Sequence, residues 1–363
     1  MQIGETCRLH VNTVDTPVRI LGVMLASLRS RLTSLAGIAT SLRSSLTSLV
    51  RIATSLAGFV TGHCKKEPLP RILRKIFASS DFSSYLRGMK QVRPKKKLGQ
   101  HFLTDLSIAR RIADTVDACP GLPVLEVGPG MGVMTQYLIE KPRPFKVVEI
   151  DRESVAYLKS TPLAAHLLPL TSESIIEGDF LRMDLHEVFG GQQFVLTGNY
   201  PYDISSQIFF KMLDNRDLIP CCTGMIQHEV AVRMASQPGT KQYGILSVLI
   251  QAWYDVEYLF TVGPEVFNPP PKVQSAVIRM TRNRVQHLGC DEVLFKRVVK
   301  TAFNQRRKML RVSLRPLFDA QHPARPEFFQ HDVMTRRPEQ LTIPEFVELT
   351  NRVEKELCAN TNN

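Results

Sequence analysis

Asn199-Tyr200-Pro201-Tyr202 follows the apolar run Phe194-Val195-Leu196. The run reads as a buried strand, and the tetrapeptide lies just past its carboxyl end, where open α/β sheets hold their ligands. The four residues suit alkylation of an exocyclic amino group on a flat base. Such a nitrogen is a poor nucleophile because its lone pair is delocalised into the ring. The Asn199 amide oxygen and the Tyr200 carbonyl can accept its hydrogens, drawing the lone pair out of conjugation and aiming it. Pro201 fixes its own backbone torsion and restricts Tyr200, so the carbonyl direction is set in advance. Tyr202 can stack on the base. The same residue types also end strands in ordinary turns, so the remaining signals decide the reading.

A second apolar strand, Val124-Leu125-Glu126-Val127, runs into Gly128-Pro129-Gly130-Met131-Gly132 and a helical stretch from Val133 to Glu140. Glycines let the backbone turn sharply and approach a ligand with no Cβ in the way. The Gly-x-Gly-x-Gly spacing is one residue shorter than the dinucleotide fingerprint. It favours a ligand without a pyrophosphate, such as S-adenosylmethionine. The next strand, Val147-Val148-Glu149-Ile150-Asp151, puts Glu149 nineteen residues after Gly130. That is close to the offset of about 20 at which a carboxylate meets ribose hydroxyls, with Asp151 as the alternative. A third strand, Ser174-Ile175-Ile176-Glu177, leads to Asp179, a candidate acceptor for an adenine amino group of the cofactor.

Taken in order, these motifs resemble the ribosomal RNA adenine N6,N6-dimethyltransferase family of bacterial type, over about residues 90–356. Leu98-Gly99-Gln100-His101-Phe102-Leu103 is similar to the family's opening motif, which covers the methionine end of the cofactor. Gln227-His228-Glu229-Val230-Ala231 resembles a following motif that more often has Lys at the His228 position. Phe267-Asn268-Pro269-Pro270-Pro271-Lys272-Val273 resembles the segment whose Phe stacks on the flipped base opposite Tyr202. Ala302-Phe303-Asn304-Gln305-Arg306-Arg307-Lys308 resembles a basic C-terminal helix. Tyr200 departs from the pattern, which usually has Leu. His101 is assigned no catalytic role.

The resemblance implies an α/β fold: a Rossmann-like class I methyltransferase sheet of seven strands, one antiparallel, over about residues 95–280. It implies a methyltransferase domain at 89–282 and a small C-terminal α-helical domain at 283–363, with helices Glu292 to Leu317 and Ile343 to Leu357. S-adenosylmethionine would contact Gln100, His101, Leu103, Gly128, Gly130, Glu149, Asp179 and Asn199. Asn199, Tyr200, Pro201, Tyr202 and Phe267 would act on the adenine. The substrate implied is a pair of adjacent adenines near the 3′ end of small-subunit (16S) ribosomal RNA in a pre-assembled particle. The base must be flipped out of its helix, and stacking on Tyr202 and Phe267 is worth about 1–3 kcal/mol. No general base is needed. Two relatives of the pattern are kept as alternatives: large-subunit adenine methyltransferases conferring antibiotic resistance, and a methyltransferase-like mitochondrial transcription factor.

Lys and Arg outnumber Asp and Glu by 46 to 34, but unevenly. Residues 1–88 hold 12 basic and 4 acidic residues, and the rest 34 and 30. Between Arg279 and Arg315, 11 basic residues face only Asp291 and Glu292. Arg93, Lys95, Lys96 and Lys97 form a second cluster. These patches, with Arg306, Arg307 and Lys308 foremost, are the expected phosphate contacts. Seven scattered cysteines with no Cys-x-x-Cys pair point to a reducing compartment and no metal. No uncharged stretch of about 20 apolar residues suggests a membrane span. A cytoplasmic monomer is expected.

Residues 27–40 recur at 41–54 with 11 of 14 positions identical. No acidic residue occurs between Asp15 and Glu67, a profile shared by transit peptides and by translated upstream DNA. Met89 opens a segment where bacterial members of the family typically begin. Residues 1–88 are therefore expected to be a disordered or mis-assigned extension, with a mitochondrial location if they are a genuine transit peptide.

Overall fold

The computed structural model describes Lys95 and residues 100–161, 170–318 and 323–359. The expectations for residues 1–88, and for Lys96 and Lys97, lie outside them. A two-residue strand β1 (Phe102–Leu103) precedes helix α1 (Leu106–Asp114). Strands β2 (Val124–Val127), β3 (Phe145–Glu149), β4 (Ile175–Glu177) and β5 (Val195–Asn199) follow, with helices α2 (Thr135–Leu138) and α3 (Arg152–Ser160) among them. Next come α4 (Ser205–Asp214), β6 (Cys221–Gln227), α5 (His228–Ala235), α6 (Ile245–Gln251), β7 (Tyr254–Val262), β8 (Phe267–Asn268) and β9 (Ser275–Arg282). Helices α7 (Glu292–Asn304), α8 (Leu310–Ser313) and α9 (Ile343–Ala359) complete the described elements.

Seven strands form one sheet in the order β4-β3-β2-β5-β6-β9-β7, with β9 antiparallel to both its neighbours. The expected sheet, with its single antiparallel strand, is present. Its central strands are apolar because both faces are covered. Val124, Val195 and Met225 point to the side packed by α1 and α2. Leu125, Leu196 and Ile226 point to the side packed by α4, α5 and α6. Strand order reverses between β2 and β5, so a crevice opens there at the carboxyl ends.

Three local expectations change. Asn199 is the last residue of β5, paired with Met225, rather than a residue beyond the strand. The helix expected from Val133 is a single turn, because turns continue through Met134. The expected helix Glu292–Leu317 stops at Asn304 and restarts at Leu310. Between them Arg306 N–H bonds the Phe303 carbonyl and Lys308 N–H the Gln305 carbonyl, closing a turn. The turn swings Leu310 into the core, where its N–H meets the Arg336 carbonyl at 2.8 Å. Arg306, Arg307 and Lys308 thus sit on a turn, not a helix.

The expected boundary at 282/283 does not interrupt the core. Phe295, Val298, Ala302 and Phe346 of the C-terminal helices share one apolar cluster with Leu196 of β5, Ile250 of α6 and Trp253 in the turn before β7. Lys90–Asn363 is one compact unit. The Trp253 ring sits edge-on to Phe295 at 6.0 Å, with the Arg216 guanidinium 4.9 Å from its ring. Arg216 in turn reaches Glu292 at 2.6 Å. Replacing Phe295 with Ala should cost about 3–5 kcal/mol. In urea denaturation, signals from the sheet and from the C-terminal helices should shift together. Separate transitions would contradict a shared core.

Candidate active site

The crevice between β2 and β5 is a cavity of about 280 Å³. Its floor is the loop after β2, where Gly128, Gly130 and Gly132 have φ of +68°, +56° and +77°. L side chains rarely adopt such torsions. Gly130 is constrained further, because a Cβ there would lie 3.1 Å from the Phe102 ring. Phe102 belongs to a roof: β1 pairs antiparallel with β8, aligning Leu103 with Phe267. The Thr104 N–H and hydroxyl both bond the Val266 carbonyl, and His101 Nδ1 donates to the Pro269 carbonyl at 2.8 Å. Gln100, His101 and Leu103 all line the cavity.

Two buried carboxylates stand at the strand tips. Glu149 is 4% exposed, and accepts the Gly130 N–H at 3.0 Å and the Asp151 N–H at 2.9 Å. Each oxygen keeps a further lone pair for a ligand hydroxyl. Burial raises the Glu149 pKa, opposed by these backbone donors. Asp151 is engaged elsewhere: it caps α3 through the Glu153 N–H and binds the Lys95 ammonium at 2.6 Å. Burial opposes its ionisation, but Lys95, the Glu153 N–H and Gln100 hold its carboxyl below the usual range. Of the two candidate ribose acids, only Glu149 lines the cavity. Asp179 lines it too, its Oδ1 accepting the Leu181 N–H at 2.9 Å.

Glu126 escaped the sequence reading. It stands in a fully buried strand, 1% exposed, and accepts the Thr135 hydroxyl at 2.7 Å. Burial pushes its pKa up to about 8, and nearby Glu149 adds to the rise. A lone acid inside an otherwise apolar strand was the available signal.

Asn199, Tyr200, Pro201 and Tyr202 line the opposite wall. The Asn199 amide nitrogen donates to the His101 carbonyl at 3.3 Å. Its Oδ1 accepts no hydrogen bond among the described residues and is left for a ligand. The Tyr202 hydroxyl meets Ser275 Oγ at 2.5 Å, and its ring stacks with His101 at 5.7 Å between centroids. The opening motif, the Asn199–Tyr202 segment and the start of β9 are thus laced together.

Two of the expected residues are engaged elsewhere in this structure. Phe267 is 4% exposed and packs with Leu103, Val262 and Val277 instead of lining the cavity. Its pairing with Leu103 turns the ring into the core. Lys95 bridges Asp151 and Glu153, at 2.6 and 3.2 Å, so its charge is already matched. Among the C-terminal basic residues Arg307 and Lys308 are exposed, while Arg306 is half-buried and donates to the Lys241 carbonyl at 2.8 Å.

A family model described as ribosomal RNA adenine dimethylase matches residues 91–351. Two curated proteins called ribosomal RNA small subunit methyltransferase A are similar. That of Phocaeicola vulgatus is 63% identical over 273 residues, covering 75% of this chain and 94% of the relative. That of Bacteroides thetaiotaomicron is 64% identical over 273 residues, covering 75% and 98%. A solved dimethyladenosine transferase from Plasmodium falciparum has the same fold, with a TM-score of 0.59 at 23% identity, covering 70% of this chain and 98% of that one.

The raised Glu126 pKa has a definite sign. The fold favours the protonated carboxyl, so folding stability drops as pH rises from 4.5, its ordinary pKa, toward about 8. Glu126→Gln removes that titration. Wild type should therefore lose more thermal stability than the variant between about pH 5 and pH 8. Equal losses in the two proteins would refute a protonated Glu126.

Proposed function

The chain belongs to the ribosomal RNA adenine dimethylase family, and on that premise we propose what it modifies and how. The protein uses S-adenosylmethionine to dimethylate N6 of two adjacent adenines near the 3′ end of small-subunit ribosomal RNA. The observation that carries this reading is the Asn199 amide. With its nitrogen bound to the His101 carbonyl, its oxygen is the group presented to a donor in the cavity. An adenine amino group is such a donor.

The cavity suits S-adenosylmethionine. The positive-φ glycines let the backbone come close, and Glu149 has spare lone pairs for ribose hydroxyls. Asp179 is fixed by the Leu181 N–H to accept an adenine amino group. Gln100, His101 and Leu103 cover the methionine end. When bound, the cofactor supplies an electrophilic methyl on a sulfonium.

The remaining work falls to the chain's own residues. The Asn199 Oδ1 and the Tyr200 carbonyl accept the amino hydrogens and restore lone-pair density to N6. Pro201 keeps the second acceptor in place. Tyr202, held by Ser275 and His101, stacks on the flipped base. Phe267 serves by anchoring the roof through β8. Rate comes from positioning and from acceptors aimed at the amino group.

The small-subunit reading is preferred to the large-subunit one because the two relatives at 63% and 64% identity carry small-subunit names. It is preferred to a non-catalytic binding role because the amide, carbonyl, proline and tyrosine of the site are all present at the cavity. The reading extends to a monomer acting in the cytoplasm on a pre-assembled particle, with Arg306, Arg307 and Lys308 against phosphates. It assigns no part of the reaction to residues 1–88.

Labelled methyl transfer to unmethylated small subunits, with mapping of the modified nucleotides, tests the proposal. Transfer only to large-subunit RNA would overturn it. Asn199→Ala should abolish transfer while cofactor affinity stays within a few-fold. Glu149→Ala should instead weaken cofactor binding by roughly 1.5–3 kcal/mol, the worth of a hydrogen bond to a charged group. Calorimetry showing the two variants equally impaired would sink the division of roles. Neutralising Arg306, Arg307 and Lys308 together should weaken particle binding and flatten its salt dependence. For every phosphate no longer neutralised, the log–log slope should shrink by about 0.7–0.9. A wild-type slope would move the RNA elsewhere.

A further inference from the structure

Position 200 carries more than a carbonyl. Tyr200 is 1% exposed and its hydroxyl is hydrogen-bonded. Its hydroxyl donates to the Thr223 carbonyl at 3.0 Å and lies 3.2 Å from Cys222 Sγ. Its backbone N–H donates to the Met225 carbonyl at 3.0 Å. Thr223, Cys222 and Met225 all belong to β6, the strand beside β5. The ring is closed from the other side by Phe209, edge-on at 5.5 Å.

The ring fits because two neighbouring residues are glycine. A Cβ on Gly198 would lie 3.2 Å from it, and one on Gly224 would lie 2.7 Å away. Gly224 also has φ of +145°, a torsion that L side chains rarely adopt. A Cβ at 224 would also run into the Gly198 carbonyl oxygen, so glycine there serves the close approach of β5 and β6 as well as the ring. A leucine at 200 could occupy part of the ring's space, but it could make no directional bond to β6.

We propose that the Tyr200 side chain is a positioning residue for methyl transfer, a strut that fixes the direction of its own backbone carbonyl. This rests on the role proposed for that carbonyl as an acceptor. Tyr200 O accepts no hydrogen bond among the described residues, so its direction must come from its neighbours. Pro201 restrains it from the C-terminal side, and the Met225 carbonyl holds the amide on the N-terminal side. Rotation of the residue as a whole is stopped by the hydroxyl on Thr223 and by the packed ring. Small misplacement of a reacting group carries a large rate penalty, so a directional strut has a use that apolar packing alone does not serve.

Tyr200→Phe, made in the full chain, keeps the ring and removes only the hydroxyl. Melting temperature, affinity for S-adenosylhomocysteine by calorimetry, and KM for small subunits should stay near wild type. The kcat should fall about three- to tenfold, as expected for one hydrogen bond felt in the transition state. Amide exchange across 199–204 should quicken while 128–132 keeps its protection. Tyr200→Leu, which loses ring and hydroxyl, should fall further. An unchanged kcat in Tyr200→Phe, measured against active wild type, overturns the proposal. So does unchanged exchange at 199–204, a readout that needs no RNA. Wild-type protein inactive on small subunits would remove the proposed reaction, and the exchange comparison would still decide the strut.

Discussion

The carboxylate of Glu149 bonds two backbone N–H groups from different loops, and the site depends on that one bridge. Gly130 comes from the turn after β2 and Asp151 from the turn after β3. β2 ends at the reversal of strand order, and β3 ends beside it. A buried acid accepting two N–H groups closes the gap and keeps the glycine loop down. Its own desolvation is offset by those donors, yet its pKa stays raised. A group that holds the floor of the crevice is therefore also the group best placed to receive a ligand's hydroxyls.

A second layer of order comes from the segment before α1. Lys95 and Gln100 reach Asp151, His101 reaches Pro269, and Phe102 covers Gly130. Through β1 and β8 this short stretch spans the crevice from the α3 N-terminus to the start of β9. The three motifs that stand far apart in the chain are thus neighbours through backbone pairing and a handful of polar contacts. Burial of Phe267 is part of the same arrangement, since the pairing of β8 with Leu103 directs its ring inward.

The sheet and its cavity were largely legible because their signals are local. Apolar runs mark β2, β3 and β5, positive-φ glycines follow β2, and acids stand at strand tips. The crossover at β2 and β5 follows from the order of the motifs. What escaped were outcomes of tertiary packing. Whether Phe267 faces a ligand or the core is decided by a two-residue pairing with a segment 164 positions away. The break in the helix after Asn304 depends on where Leu310 finds a buried partner. Lys95 resembled an open phosphate contact until its distance to Asp151 was known. Glu126 needed the burial of a whole strand before its chemistry stood out. Charge and periodicity describe a residue's own tendencies, whereas these four cases turn on the neighbour it meets.

The apolar cluster that runs from Leu196 and Trp253 into Phe295 and Phe346 leaves no hinge between the sheet and α7. Opening one would expose large buried aromatics, at a cost comparable to much of a domain's stability. The exposed Arg307 and Lys308 and the crevice at Asn199 are accordingly held in one body at a fixed separation. On the proposed reading, an RNA touching both places would meet a rigid span, so its own shape, rather than movement within this body, would have to bring an adenine to Asn199.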